Sequence, residues 1–429
     1  MLDIKFIREN KDQVKKATSD KQLDPSLVEN ALGLDEKRRD LMKEVEGLRT
    51  LRNTYASEKN IEKGKETKKS LQKIEPKLKE IEKQLLELLY KIPNVVSEDT
   101  PVGKDESENK VVRKWGEKPK FDFTPKDHLE LGIALGIIDT EMAAKVSGAR
   151  FNYLKGDAVL LQNALHQFAL SVLTDEKKLK EISESVEKGY SSKPFIPVIP
   201  PLFINPDVYT KMARLSPETE IERYAIPRDN QYLIGSAEHT LGPLHMDQTL
   251  NEKQMPLRYF AFTPAFRREA GSYGKDTRGI LRQHQFDKLE MESFTTPENG
   301  EKEQNFFVAI QEYLMAELKI PYQVVAICTG DIGGPDYRQI DLDSWMPGQD
   351  KYRETHTSDY MTDYQSRRLN SKVKIKDETE FVHMNDATAF AMGRTIIAIM
   401  ENYQKEDGSI EIPKVLQKWM GKSEILSKA

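Results

Sequence analysis

Cysteine is almost missing from this chain of 429 residues, which holds one, Cys328. A lone thiol excludes an internal disulfide and any zinc site built from cysteines. Its setting, YQVVAICTGD, reads as a buried strand. The seven histidines fall at no metal-ligand spacing. No apolar run approaches the ~20 residues that a membrane helix needs, and the opening MLDIKFIREN lacks the apolar centre of a secretion signal. These absences point to a cytoplasmic protein with no membrane partner. Core-forming residues are not scarce. A composition 38% hydrophobic and 31% charged is that of a soluble globular protein, long enough for two or three domains.

The net charge of −5 argues against a nucleic-acid partner only until its distribution is read. From Asp35 to Lys91 there are 16 Lys or Arg and 12 Asp or Glu, so this segment carries +4 and the remainder −9. Leu34, Leu41, Leu48 and Tyr55 recur every seven residues, and Leu71, Ile74, Leu78, Ile81, Leu85 and Leu88 alternate spacings of three and four. Two such stripes, parted by a polar stretch around Asn60 to Gly64, predict an antiparallel helical hairpin. Each arm has about 25 residues and is ~35 to 40 Å long at ~1.5 Å per residue. Pro76, inside the second stripe, predicts a kink or a helix that restarts near Lys77. The seam can be buried only between the two helices, so the hairpin should project. Near its tip Arg49, Arg52, Lys59, Lys63, Lys65, Lys68 and Lys69 outnumber Glu58, Glu62 and Glu66. A basic rod suits the phosphate backbone of a structured RNA, although a solvated coiled coil has the same pattern.

Residues 92–110, IPNVVSEDTPVGKDESENK, are rich in Pro, Gly and acid and mark a boundary between domains of residues 1–105 and 106–429. SGARFNYLKGDAVLLQNALHQFALSVL then pairs a short strand with an amphipathic helix. PFIPVIPPLFINPDVY is an apolar strand punctuated by prolines.

Chemistry concentrates between Arg258 and Phe294. RYFAFTPAFR reads as a strand delivering charge at its end, and RQHQFDKLEMESF as a second strand. Alternation puts Arg282, His284, Phe286, Lys288 and Glu290 on one face of the second and Gln283, Gln285, Asp287 and Leu289 on the other. GSYGKDTRG between them is a mobile loop carrying Lys275 and Arg278. Arg267, Glu269, Arg282, Phe286 and Glu290 together suit an anionic, planar ligand such as ATP: guanidinium for phosphate, a ring for a base, carboxylates for amines; a solvated edge hairpin with surface ion pairs is the alternative. In YLIGSAEHTL, Ser236 and Glu238 are two apart, point the same way on an extended chain and could hold an ammonium; a helix cap is the alternative. Glu354 and Thr357 offer hard oxygens for Mg²⁺ bound with ATP, or lie on a solvated loop. Arg394 falls in the first turn of an apolar helix, facing the positive end of its dipole, which is unfavourable without an anion nearby.

The string FRREAGSYGKDTRGILRQHQFDKLEM resembles motif 2 of class II aminoacyl-tRNA synthetases in the form found in seryl-tRNA synthetases. The likeness runs from the N-terminal hairpin through VHMNDATAFAMGRTIIAIMENYQ, which is similar to motif 3, with Pro201 at the motif 1 proline; the motifs fall at about 195–215, 258–294 and 383–404. It implies an α+β fold: a coiled-coil arm that contacts tRNA, then a class II catalytic domain on an antiparallel sheet flanked by helices. It also implies a homodimer. By resemblance Arg267 holds the α-phosphate and the amino-acid carboxylate, Glu269 and Phe286 the adenine, Arg282 and Arg394 the outer phosphates, and Glu354 and Thr357 the Mg²⁺. Ser236, Glu238 and Glu290 would take the ammonium of L-serine, with Thr388 near its hydroxyl. Three positions depart from the family. Ser236 replaces a threonine, Thr357 replaces a serine while keeping its hydroxyl, and Asp386 stands where asparagine is expected. Arg267, Glu269 and Arg394 would be the catalytic set, charging tRNA(Ser), and tRNA(Sec) where present. A ligase that loads a carrier protein, and a non-catalytic tRNA-binding paralogue, are the other readings; the RNA-type arm opposes the first and the intact arginines the second.

Overall fold

The structure, a computed structural model, describes residues 1–270, 276 and 278–426. The arm is two helices, α1 (Ser26–Ser57) and α2 (Ile61–Lys91). With 32 and 31 residues they are longer than the heptad stripes predict, about 48 and 46 Å at ~1.5 Å per residue. In α2 the added length lies at the tip, where the helix starts at Ile61, and in α1 it lies at the base. There Val28 and Ala31 of α1 and Leu85 and Leu89 of α2 bury against Leu2, Ile7, Val14 and Tyr364, so tertiary packing extends the helix beyond the seam. The turn falls at Glu58–Asn60, earlier than expected. Lys59 takes a left-handed conformation (φ 56°), and the Asn60 side chain caps α2 by accepting from the Lys63 N–H at 3.2 Å. Pro76 lies inside one unbroken helix, with no restart at Lys77. It faces solvent, while Leu71, Ile74, Leu78 and Ile81 on either side share one seam.

The segment after the arm is packed rather than loose. Asn94 donates to the carbonyls of Pro335 and Met361 at 3.0 and 2.9 Å, and Ile92 is fully buried. The body is organised on eight strands: β1 (Lys110–Trp115), β2 (Ile196–Pro197), β3 (Leu257–Phe266), β4 (Gln285–Thr295), β5 (Tyr322–Ala326), β6 (Arg338–Met346), β7 (Lys351–Thr362) and β8 (His383–Ala391). Their order across the sheet is β1-β5-β6-β7-β8-β4-β3-β2. Every pairing is antiparallel except that of β2 with β3. Cys328 is buried two residues beyond β5, and its thiol donates to the Asp105 carbonyl.

Alternation along β4 divides the sheet into two faces. Leu289 and Met291 join the main core with Phe306, Phe307, Ile310 and Leu314 of α4 (Gly300–Glu317) and Ile396 and Ile399 of α5 (Met392–Asn402). Leu161, Leu165 and Phe168 of the amphipathic helix α3 (Asp157–Leu173) complete it. Lys288 and Glu290, on the other face, line an open cavity of about 650 Å³. The helices therefore support the sheet from one side and leave its central strands free to carry polar chemistry on the other.

Candidate active site

At one end of the cavity β3 stops at Phe266 and hands the chain to Arg267. The Arg267 N–H donates to the His284 carbonyl at 2.9 Å, extending the ladder one residue past β3. Its Nε donates to the Gly235 carbonyl at 3.0 Å, and its guanidinium sits 5.4 Å from the Phe286 ring centroid. Arg282 donates to Glu269 at 2.6 Å. Glu269 itself has a left-handed backbone (φ 52°), a conformation that a non-glycine residue holds at a cost of roughly 1–3 kcal/mol and that clusters at functional sites. Of the intervening loop, Arg278 is exposed and Asp276 pairs with Arg353, while Lys275 lies outside the described residues. The loop's return is fixed from the core side. The Ile280 N–H donates to His128 Nε2 at 3.1 Å, and His128 Nδ1 lies 3.2 Å from Glu401 of α5. Gly279 passes so close (φ 76°) that a Cβ would lie 2.1 Å from His128 Nε2.

The cavity narrows towards Glu238. Ser236 and Glu238 do not lie on extended chain as the spacing predicts. Ala237 caps a short helix, Glu238–Leu241, closed by the His239 N–H to Ser236 and the Leu241 N–H to Ala237. Glu238 lines the cavity, whereas Ser236 is fully buried, with a hydroxyl that has no partner among the described residues. His239 Nδ1 accepts from the Gly235 N–H at 3.0 Å, which leaves the ring proton on Nε2, 3.3 Å from Glu238. Burial holds His239 neutral, with its pKa down at about 4. Burial alone would raise the Glu238 carboxyl, but Lys288 and His239 outweigh it and hold the group well below its ordinary range. Lys288 lies 2.6 Å from Glu290 and 3.8 Å from Glu238. Burial pushes Glu290 up to about 7 despite Lys288. A bulge at Ala389 brings Thr388 opposite Glu290, and its hydroxyl donates at 3.4 Å.

A second bulge builds the phosphate end. Residues three apart on a regular strand face opposite sides. In the pairing of β7 with β6, Asp343 sits opposite Glu354 and Leu342 opposite His356, so Thr355 is the extra residue. Glu354 and Thr357 are thereby brought to the same face, the hydroxyl 3.5 Å from the carboxylate. The sequence left this segment as a possible loop, and it is a twelve-residue strand. Arg394 is the third residue of α5, and the anion that its placement demands is Glu354, at 2.9 Å. Desolvation opposes ionisation of Glu354, but Arg394 and then Arg267 prevail and hold its pKa low.

Arg267, Glu269, Arg282, Phe286, Glu354, Thr357, Arg394, Glu238, Glu290, Asp386 and Thr388 all line this cavity; of the residues singled out for it, Ser236 does not. Sequence reasoning missed Arg214, which donates to Asp386 at 3.4 Å and lies 3.9 and 4.0 Å from Asp359 and Asp336. No local pattern marks these residues, because they come from separate segments. Burial, reinforced by neighbouring acids, pushes the Asp386 and Glu292 carboxyls far above their ordinary range. On the arm, Arg49, Arg52, Lys59, Lys63, Lys65, Lys68 and Lys69 are all exposed. Arg49 pairs with Glu75 at 2.9 Å, and Lys63 lies over the Tyr55 ring.

An antiparallel sheet that presents arginines at the ends of neighbouring strands and at the start of a following helix is the core of a class II aminoacyl-tRNA synthetase. The description "tRNA synthetase class II core domain (G, H, P, S and T)" matches residues 222–403, and "Seryl-tRNA synthetase N-terminal domain" matches residues 1–96. The chain belongs to the seryl-tRNA synthetase family. The serine–tRNA ligase of Dictyoglomus turgidum is 40% identical, with all of both chains covered. Among solved structures, the seryl-tRNA synthetase of Pyrococcus horikoshii complexed with ATP superposes with a TM-score of 0.91 at 36% identity over all of both chains. The cytoplasmic serine–tRNA ligase of Naegleria fowleri in complex with AMP gives 0.87 at 29% identity, covering 100% of this chain and 99% of that one.

Proposed function

We infer that the chain is a serine–tRNA ligase that activates L-serine with ATP and transfers it to the 3′ end of tRNA(Ser), and of tRNA(Sec) where present. The observation that carries this reading is the convergence, in one cavity, of Arg267 beside Phe286, Arg282 with Glu269, Arg394 with Glu354, and the pair Glu238 and Glu290. The substrate carboxylate attacks the α-phosphorus and pyrophosphate leaves, so no protein nucleophile is needed. Catalysis is then positioning and charge stabilisation. Arg267 bridges the α-phosphate and the serine carboxylate, Phe286 and Glu269 take the adenine, and Arg282 and Arg394 take the outer phosphates. In the free protein those two arginines are occupied by Glu269 and Glu354, which keeps each cation paired until phosphate replaces its partner. Glu238 and Glu290 receive the serine ammonium, with Thr388 beside its hydroxyl. In the second step a ribose hydroxyl of the terminal adenosine attacks the adenylate carbonyl and AMP departs.

Glu354 and Thr357 fit Mg²⁺ chemically: two hard oxygens on one face, the carboxylate half-exposed and held ionised. Bound there with ATP, the ion would neutralise charge on the leaving pyrophosphate. The basic arm meets tRNA, and residues 106–429 form the catalytic domain. A carrier-loading ligase is not favoured, since residues 1–96 are of the seryl type. A homodimer is supported by exposed apolar residues in the motif 1 segment, Ile196 at 48%, Ile199 at 98% and Phe203 at 47%. Among the described residues no helix is long and apolar enough to cross a membrane, in keeping with work in the cytoplasm.

ATP–pyrophosphate exchange tests the assignment. It should proceed with serine far faster than with alanine, threonine or glycine, because a polar pocket rejects ligands that leave its groups unpaired. Arg267→Ala should slow it by two to three orders of magnitude, the ~3 to 4 kcal/mol that one preorganised donor supplies, without lowering Tm. Equal exchange with alanine, or a change under tenfold in the variant, would sink the assignment.

A further inference from the structure

Beyond Glu238 and Glu290, the cavity gathers more carboxyl groups than it has cations to pair with them. Asp336, Asp359 and Asp386 all share one guanidinium nitrogen of Arg214. Lys288 is already engaged by Glu290 and Glu238. Glu292 is 0% exposed, and neither of its carboxylate oxygens has a hydrogen-bond partner among the described residues. Strand alternation puts it on the same face as Lys288 and Glu290, and the ladder sets it directly opposite Asp386. Asp336 is 1% exposed and Asp359 8%, and each has an oxygen with no donor among the described residues. Buried carboxylates left without donors are costly, so the geometry asks for an occupant that supplies several N–H groups.

A metal ion is one such occupant in principle, but among the described residues no group of three or more His, Cys, Asp or Glu converges as metal ligands. The serine hydroxyl offers one donor, and an ammonium offers three together with a positive charge. We propose that the end of the cavity lined by Asp386, Asp359 and Asp336 is an ammonium subsite, so that an α-amino acid of serine's size bearing an amine in place of the hydroxyl is activated alongside serine and in preference to it. This rests on the reading that Glu238 and Glu290 hold the α-ammonium, which leaves Asp386 and its neighbours facing the side chain. The chemistry is unchanged. A carboxylate oxygen bonds to the α-phosphorus, the bond from that phosphorus to the bridging oxygen breaks, and pyrophosphate leaves with the electron pair.

L-2,3-diaminopropionate is the probe, compared with serine and alanine in ATP–pyrophosphate exchange on the full chain. The expected result is a kcat/KM at least tenfold above that of serine, with Asp386→Asn cutting the ratio of the two by more than tenfold. The unsubstituted protein already decides the matter if the variant does not fold. Serine turning over normally, with the diamino acid no better, overturns the proposal and leaves the reading of the cavity standing. Exchange with none of the three overturns both.

Discussion

Glu290 shows how one buried carboxyl can set the working pH of the amino-acid site. Its pKa of about 7 lies above the ~4.3 of an exposed glutamate, because burial penalises its charge more than Lys288 relieves it. A carboxyl raised by folding withholds stability as pH climbs from its unfolded to its folded pKa, here from ~4.3 through about 7. It receives an ammonium only above that range. The KM for serine should therefore rise several-fold as pH falls through 7, and Glu290→Gln should raise KM at neutral pH and flatten the profile. Exchange kinetics from about pH 6 to 8.5 check this, and a flat wild-type profile would remove Glu290 from the ammonium site. Which single residues were legible follows from local chemistry. Arg394 stood out because an arginine in a first helical turn lacks an anion, and Glu354 is that anion. For Ser236 and Glu238 the sequence offered extended chain or a helix cap, and a helix does start at Glu238, but with Ala237 and not Ser236 at its cap, a shift of one residue set by hydrogen bonds that no spacing reveals. Arg214 gave no signal, since its three aspartates meet it only when the sheet is assembled.

At the level of elements, period and composition carried most of the fold, and the losses have one cause. The arm and the motif 2 strands were read from repeats of seven and of two. The strand Lys351–Thr362 was not, because its value to the site lies in the bulge at Thr355, which breaks the alternation that would have revealed it. VHMNDATAFA likewise hid a strand, His383–Ala391, in small and polar residues. The family, inferred from motif residues, matches the comparisons over nearly the whole chain. The motif 1 segment has its own logic. It adds β2 beside β3 at the edge of the sheet, yet leaves Ile196 and Phe203 half-exposed and Ile199 almost wholly so. Apolar groups in that state call for a second surface, which in the proposed dimer a second copy of the chain would supply. Ile199→Asp should shift a dimer towards monomer in sedimentation equilibrium while each chain stays folded. A native protein already monomeric at micromolar concentration would contradict the dimer.

For the whole molecule the question is whether the two halves separate by task. The seam of the arm is internal, but its base is not: Leu85 and Leu89 pack with Tyr364, and the buried Asp35 is held by Arg8, Arg38 and Arg39 at 3.3, 2.7 and 3.2 Å. A replacement from residue 35 to residue 91 would tear this base, so the clean experiment exchanges only residues 40–84, which spares Arg38 and Arg39, for a short Gly/Ser link. Every residue that lines the cavity stays in place. Serine-dependent pyrophosphate exchange should then persist within about twofold, since adenylation uses only the body. Transfer to tRNA should fall tenfold or more, because the exposed arginines and lysines of the arm go with it. The salt dependence gives an independent reading. Each lost phosphate contact should flatten the slope of log affinity against log salt by roughly 0.7 to 0.9, so the shortened protein should bind tRNA more weakly and with less sensitivity to salt. Near-normal charging of serine tRNA by that protein would mean that the rod is structural and that RNA is selected elsewhere.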